Sequence, residues 1–183
     1  MRLVPGNTVP DLVATDFLGN LVDLKKRRRP VLLSFYRYAS CPVCNLRMQE
    51  LIRSHPRLTA AGLDLIAVFQ SPAEVVACYV GRQDAPFPIV PDHELVLYRR
   101  FGVEANWGGL FTGSVLRAAK TAIGSGFKPG RIDGPLSRLP ADLLIGADGR
   151  VAIAYYGKDI NDHLPLPDIE HWLQSASLIG GSL

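Results

Sequence analysis

Two apolar runs, PVLLSFY (residues 30–36) and LDLIAVF (63–69), constrain this chain more than any other feature. Runs so poor in polar alternation belong to strands covered on both faces, which calls for a sheet layered between other elements. The stretch between them reads as one helix. Pro42 suits a first helical position, where its missing N–H would have no partner anyway. Pro56 predicts an end near His55, because proline disfavours helical geometry in the residue before it. Strand, helix and strand in that order form a right-handed β-α-β unit.

The flanking segments extend this plan. LVATDFLGNLVDL reads as a hairpin of two short strands around the turn at residues 18–20. SPAEVVACYVGR carries helix-start signals, with Ser71 as cap, Pro72 at the first position and Glu74 completing a capping box. FPIV is a brief strand, and Asp92 caps a short helix that Gly102 stops. Residues 110–123 read as a helix carrying Arg117 and Lys120, followed by a Gly- and Pro-rich loop over 124–135. DLLIGADGRVAIAYY is a hairpin through Asp148-Gly149, and PDIEHWLQSASL a closing helix. This order predicts an α/β, thioredoxin-like plan in a single domain over residues 1–183, with an insertion at about 104–138. A doubly wound, flavodoxin-like sheet is disfavoured, because it would join its last strands through a helix rather than an Asp-Gly turn.

A chain of 183 residues buries its own core without staples. Its net charge of +3 builds no basic stripe of the kind nucleic acid requires. The one dense charge run, KKRRR at 25–29, reads as a solvated turn. MRLVPGNTVPDL lacks the continuous apolar core of a secretory signal, and no segment reaches membrane-span length. The expectation is a cytoplasmic protein with reduced thiols and no membrane or nucleic-acid partner.

In that setting the pair Cys41 and Cys44, spaced C-x-x-C, stands out. Metal binding, a structural disulfide and redox chemistry all use such pairs. A zinc site needs about four ligands, and Cys78, His55, His93, His163 and His171 are scattered singly, so no metal is expected. Cys41 lies at a strand-to-helix junction, where first-turn N–H groups and the helix dipole favour thiolate. Arg37, four residues earlier, adds positive charge. Cys44, one helical turn on, is near enough to pair with Cys41 and suits a resolving thiol. Cys78, among apolar neighbours in mid-helix, reads as a core residue. Asp162-His163 reads as a structural pair rather than an acid–base couple.

Several stretches carry a family resemblance. GNTVPDLVATDFLGNLVDL resembles the opening of the peroxiredoxins, the alkyl hydroperoxide reductase and thiol-specific antioxidant family. VLLSFYRYASCPVCNLRMQEL is similar to the peroxiredoxin-like branch with its FYR…CP.C core. FPIVPDHELVLYRRFGV and LPADLLIGADGRVAIAYYGKDINDHLP resemble its Asp-led helix and closing hairpin. The resemblance implies a peroxiredoxin-type three-layer fold, with a central mixed sheet flanked by helices, an N-terminal β-hairpin and an inserted helical segment. It implies that Cys41 attacks a peroxide and Cys44 captures the resulting sulfenic acid, without a cofactor. It also implies an arginine from a later strand beside the thiolate, for which Arg138 is the match, and a cis-proline facing the cysteines, for which Pro140 is the candidate. The family pattern P-x-x-x-T-x-x-C has Ser34 and Tyr38 in the places of Pro and Thr. Tyr38 and Ser40 therefore supply the hydroxyls nearest the substrate.

The expected activity is a thiol peroxidase acting on hydrogen peroxide or organic hydroperoxides, with thioredoxin or glutathione as reductant. A thiol–disulfide oxidoreductase using the same pair on disulfide substrates is the alternative. A non-catalytic thioredoxin-fold module, binding a partner through the basic inserted segment, is a third. Family analogy adds a homodimer.

Overall fold

The computed structural model describes residues 1–105 and 112–180. Its centre is a five-stranded sheet of β3 (Val31–Phe35), β4 (Asp64–Phe69), β5 (Ile89–Pro91), β6 (Ala141–Ile145) and β7 (Val151–Tyr156) in the order β5-β4-β3-β6-β7. β3 pairs parallel with β4, and β4 parallel with β5, whereas β3–β6 and β6–β7 are antiparallel. The sheet is therefore mixed, as the β-α-β unit followed by a hairpin predicts. β1 (Val13–Thr15) and β2 (Leu21–Asp23) form the separate antiparallel hairpin, whose turn is held by the Asp16 carboxylate accepting from the N–H groups of Leu18 and Asn20.

Alternation along the central strands divides the core in two. Leu32, Tyr36, Leu65, Ala67, Phe69 and Leu144 face the helices α1 (Pro42–Ala60), α2 (Ala73–Cys78), α4 (Gly113–Gly124) and α5 (Leu166–Gly180). Leu33, Phe35, Ile66, Val68 and Leu143 face the N-terminal hairpin and α3 (Val96–Arg100). This three-layer, thioredoxin-like arrangement puts the β3–α1 junction at the carboxyl end of the central strand, where side chains from several loops converge. No helix among the described residues is long and apolar enough to cross a membrane.

Four local expectations need correction. α1 runs through Pro56 to Ala60 rather than ending near His55. Pro56 lies on the exposed side, while the next turn buries Leu58 completely. Arg29 donates to the carbonyls of Thr59 and Gly62 beyond it. Packing and these carbonyl partners outweigh the proline's local cost of about 3 kcal/mol. Ser71 does not cap α2, because its hydroxyl is engaged elsewhere. Cys78 is exposed rather than in the core, since the six-residue α2 turns Val75 and Val76 inward instead. The fourth helix begins at Gly113 with Thr112 as its cap; Leu110 and Phe111, where its start was expected, lie outside the described residues. Asp92, in contrast, accepts from the N–H groups of Val96, Leu97 and Tyr98, and Gly102 leaves α3 with φ +68°, a conformation that favours glycine.

Candidate active site

Cys41 is the N-cap residue of α1. Its sulfur accepts from the Cys44 N–H at 3.4 Å, and Pro42 follows at the first helical position. An orphan donor of the first turn thus points at sulfur. An Arg37 Nη lies 3.7 Å from the same sulfur. The loop carrying Cys41 is pinned from several sides. Asn45 donates to the carbonyls of Ala39 (2.7 Å) and Cys41 (2.9 Å), and the Ser71 hydroxyl accepts the Ala39 N–H at 2.8 Å. Gln83 in turn holds the Asn45 side chain at 2.7 Å.

These contacts set the two thiols apart. Burial by itself would push the Cys41 thiol up. The Cys44 thiol, the Arg37 guanidinium and the N–H groups of Cys44 and Val43 outweigh it and bring Cys41 down to about 7. Cys44 is pushed well above the ordinary thiol value, first by burial and then by Cys41. Both cysteines are buried free thiols, Cys41 at 2% exposure and Cys44 at 1%. A thiolate beside a protonated thiol is the charge arrangement of a nucleophile with a thiol in reserve.

The other expected site residues divide. Tyr38 borders Cys41, with the Arg37 guanidinium 5.0 Å from its ring centroid. Burial, then the charge of Cys41, raises the Tyr38 phenol to about 12. Ser40 adjoins Cys41 in sequence, and its hydroxyl donates to the Arg131 carbonyl. Among the described residues Arg138 makes no hydrogen bond to either cysteine. It is buried, donating to Val103 O at 2.8 Å and Gln70 Oε1 at 3.4 Å, with its guanidinium over the Tyr98 ring. The arginine in contact with the Cys41 sulfur is Arg37. Pro140 is preceded by a trans bond, as is every described residue, and its carbonyl accepts from Gly157. The trans form is the favoured one for X–Pro bonds.

Ser34 is buried on the sheet face that meets α1. It stands opposite Asp142 in the β3–β6 register. Asp142, fully buried, accepts from the Leu164 N–H at 2.7 Å and pairs with His163 Nδ1 at 3.0 Å. His163 thus pairs with Asp142 rather than with its sequence neighbour Asp162, which accepts from the Tyr155 hydroxyl and the Lys158 N–H. Although burial opposes it, His163 and then Arg47 and Ser34 hold the Asp142 carboxyl down to about 2.

Sequence reasoning did not find Asn45, Gln70, Ser71 or Asp142 as parts of this neighbourhood. A lone Asp inside the apolar run ADLLI was the available signal for the last, because a buried carboxylate needs a partner. Ser71 gave the opposite signal, as a helix cap.

Residues 5–154 match the model of the AhpC/TSA family. Chains provisionally named as peroxiredoxins in two strains of Mycobacterium tuberculosis are 25% identical over 167 residues, covering 89% of this chain and 91% of theirs. The crystal structure of the peroxidoxin BcpB from Mycobacterium tuberculosis superposes with a TM-score of 0.68 at 16% identity, over 97% of this chain and 99% of that one. A chain from Chlorobium tepidum, provisionally named as the thiol:disulfide interchange protein DsbE, superposes with a TM-score of 0.63 at 18% identity, over 97% and 99%. The match runs from before the N-terminal hairpin through the cysteine pair into β7, so this chain belongs to the AhpC/TSA family.

Proposed function

We propose that the protein is a thiol peroxidase in which Cys41 attacks and Cys44 resolves. The observation that carries this reading is the convergence of the Arg37 guanidinium and the Cys44 N–H on the Cys41 sulfur. The Cys41 thiolate attacks the terminal oxygen of a hydroperoxide and the O–O bond breaks. The departing oxygen takes a proton and leaves as water or an alcohol, while sulfur becomes sulfenic acid. Cys44 sulfur then bonds to Cys41 sulfur. The sulfenic oxygen leaves with the Cys44 proton as water, and two reducing equivalents from thioredoxin or glutathione restore the thiols. Arg37 stabilises the thiolate and the negative charge developing on the departing oxygen. Tyr38 and Ser40 border the reacting sulfur, and Arg138 braces Gln70 behind it.

A second reading has the same pair exchanging with disulfide substrates. Tyr38 in the place of the family threonine favours it, as does the likeness to a thiol:disulfide interchange protein. Stopped-flow oxidation of the reduced protein by hydrogen peroxide and an alkyl hydroperoxide separates the two. The peroxidase reading predicts oxidation far faster than that of a free thiol, abolished in Cys41→Ser. In Cys44→Ser the first step persists and the sulfenic acid accumulates. Oxidation no faster than a free thiol's, with a protein disulfide reduced efficiently, would establish the second reading instead.

A further inference from the structure

Most cations of the basic run at residues 25–29 have partners in the fold. Lys25 pairs with Asp11 at 2.6 Å, and Lys26 with Asp23 at 3.5 Å. Arg27 reaches the Asp64 carboxylate at 3.2 Å. Arg29 shares that carboxylate at 3.8 Å and donates to the carbonyls of Thr59 and Gly62 at the end of α1. Arg28 differs. It is exposed, and among the described residues it has no hydrogen bond or ion pair.

Arg28 lines a cavity of about 240 Å³ together with Lys25, Arg27 and Arg29. The buried side chains of Leu24, Val31 and Ile145 supply an apolar part of the lining. Val31 opens β3 and Ile145, paired with it, closes β6. The cavity therefore lies at the opposite end of the sheet from the cysteine loop, which follows the carboxyl end of β3. Asp148 also lines it, from the turn between β6 and β7, and its carboxylate accepts the Arg150 N–H.

These features favour one kind of occupant. Buried apolar side chains beside a group of cations suit a molecule with an apolar body and an anionic end. The volume is below the range of about 300–1,000 Å³ common for drug-sized ligands, which suits one or two rings rather than a long acyl chain. Arginine also stacks on ring faces. A polyanion fits poorly, because its further charges would meet Asp148 or have to break the pairs that engage the other cations. We infer that this cavity binds a small aromatic monoanion, a carboxylate or sulfonate, with its rings on Leu24, Val31 and Ile145 and its charge on Arg28. The inference stands apart from the peroxidase reading, since neither Cys41 nor Cys44 lines the cavity.

The test titrates the full chain with two fluorescent probes. Anilinonaphthalene sulfonate is an aromatic monoanion, and phenylnaphthylamine has the same rings without the charge. The cavity predicts saturable binding of one sulfonate per chain, with the neutral probe about tenfold weaker, the effect of one charge-assisted hydrogen bond. Arg28→Gln should weaken the sulfonate by about the same factor and leave the neutral probe unchanged. Thr8→Trp, which fills the cavity from its exposed rim, should weaken both. Leu116→Ser, on the exposed apolar face of α4, should alter neither. Circular dichroism confirms that each variant folds. The inference is overturned by equal affinity for the two probes, by an unchanged sulfonate affinity in folded Arg28→Gln or Thr8→Trp, or by its loss in Leu116→Ser. Absence of saturable sulfonate binding would overturn it as well. Displacement of the sulfonate by millimolar inorganic phosphate, or by heparin, would assign the cations to a plain anion or a polyanion instead.

Discussion

Two buried polar regions lie near the carboxyl half of β3, and they use charge in opposite ways. Around Asp142 the carboxylate meets His163, the Leu164 N–H and the positive field of Arg47, whose own guanidinium reaches Glu50 and the Leu164 carbonyl. Around Cys41 the contacts are longer, Arg37 at 3.7 Å and the Cys44 N–H at 3.4 Å, with the Cys44 thiol and the Val43 N–H adding to them. The first region neutralises its charge and fastens β6 to the loop before α5. The second stabilises a thiolate without enclosing it in strong bonds, which leaves the sulfur electron-rich. A buried charge is fixed when its partners are close, and left available when they are long.

The largest test of this contrast is Asp142→Asn, which takes a fully buried carboxylate out of its contacts with His163 and the Leu164 N–H and out of the field of Arg47, and should cost about 3–5 kcal/mol in denaturant unfolding. Its sign with pH is fixed. The folded carboxyl titrates at about 2, below its ordinary value of 3.8, so its contribution is present above the unfolded value and lost as pH falls through the folded one. The gap between parent and variant should therefore narrow from about pH 4 towards pH 2. The rate of Cys41 oxidation per folded molecule should barely move. Next comes Arg37→Met. Losing the guanidinium should raise the Cys41 pKa by about one unit or more and slow peroxide oxidation at neutral pH about tenfold, and orphaning the Leu136 carbonyl should cost about 1–2 kcal/mol of stability. Arg138→Met is the smallest effect. It orphans the Val103 carbonyl, costing about 1–2 kcal/mol, and should leave the rate of Cys41 oxidation near that of the parent. A rate loss for Arg138→Met equal to that for Arg37→Met would erase the distinction between an arginine on the sulfur and one behind it.

Much of the fold was legible because its signals were local and reinforced one another. The apolar runs at 30–36 and 63–69 have one sensible burial, and the Asp148-Gly149 turn excludes a helical connection there. Pro56 misled because local propensity was opposed by the packing of Leu58 and by Arg29 at the carbonyls beyond it, neither visible in a window around the proline. The cysteine pair was legible for the same local reason, since the N-cap position and the helix follow from neighbouring residues. Partners distant in sequence were not. Arg37 and Arg138 are both buried arginines near strand ends, and only the tertiary positions of Val103, Gln70 and Tyr98 decide which one faces the sulfur. The anchoring of the loop over 130–136 was illegible because its bonds use the backbone carbonyls of Arg131, Pro135 and Leu136, which leave no mark on sequence.

The central claim is that Cys41 is held as a thiolate near neutral pH by Arg37 and the first turn of α1. The most direct measurement is the pH dependence of Cys41 alkylation by iodoacetamide, in the Cys78→Ser protein with and without Arg37→Met. The account predicts a rate that rises with pH and levels off around a midpoint near 7, with the midpoint moved upward in the Arg37→Met protein. A midpoint at or above that of a free thiol, or one indifferent to the loss of Arg37, would contradict it.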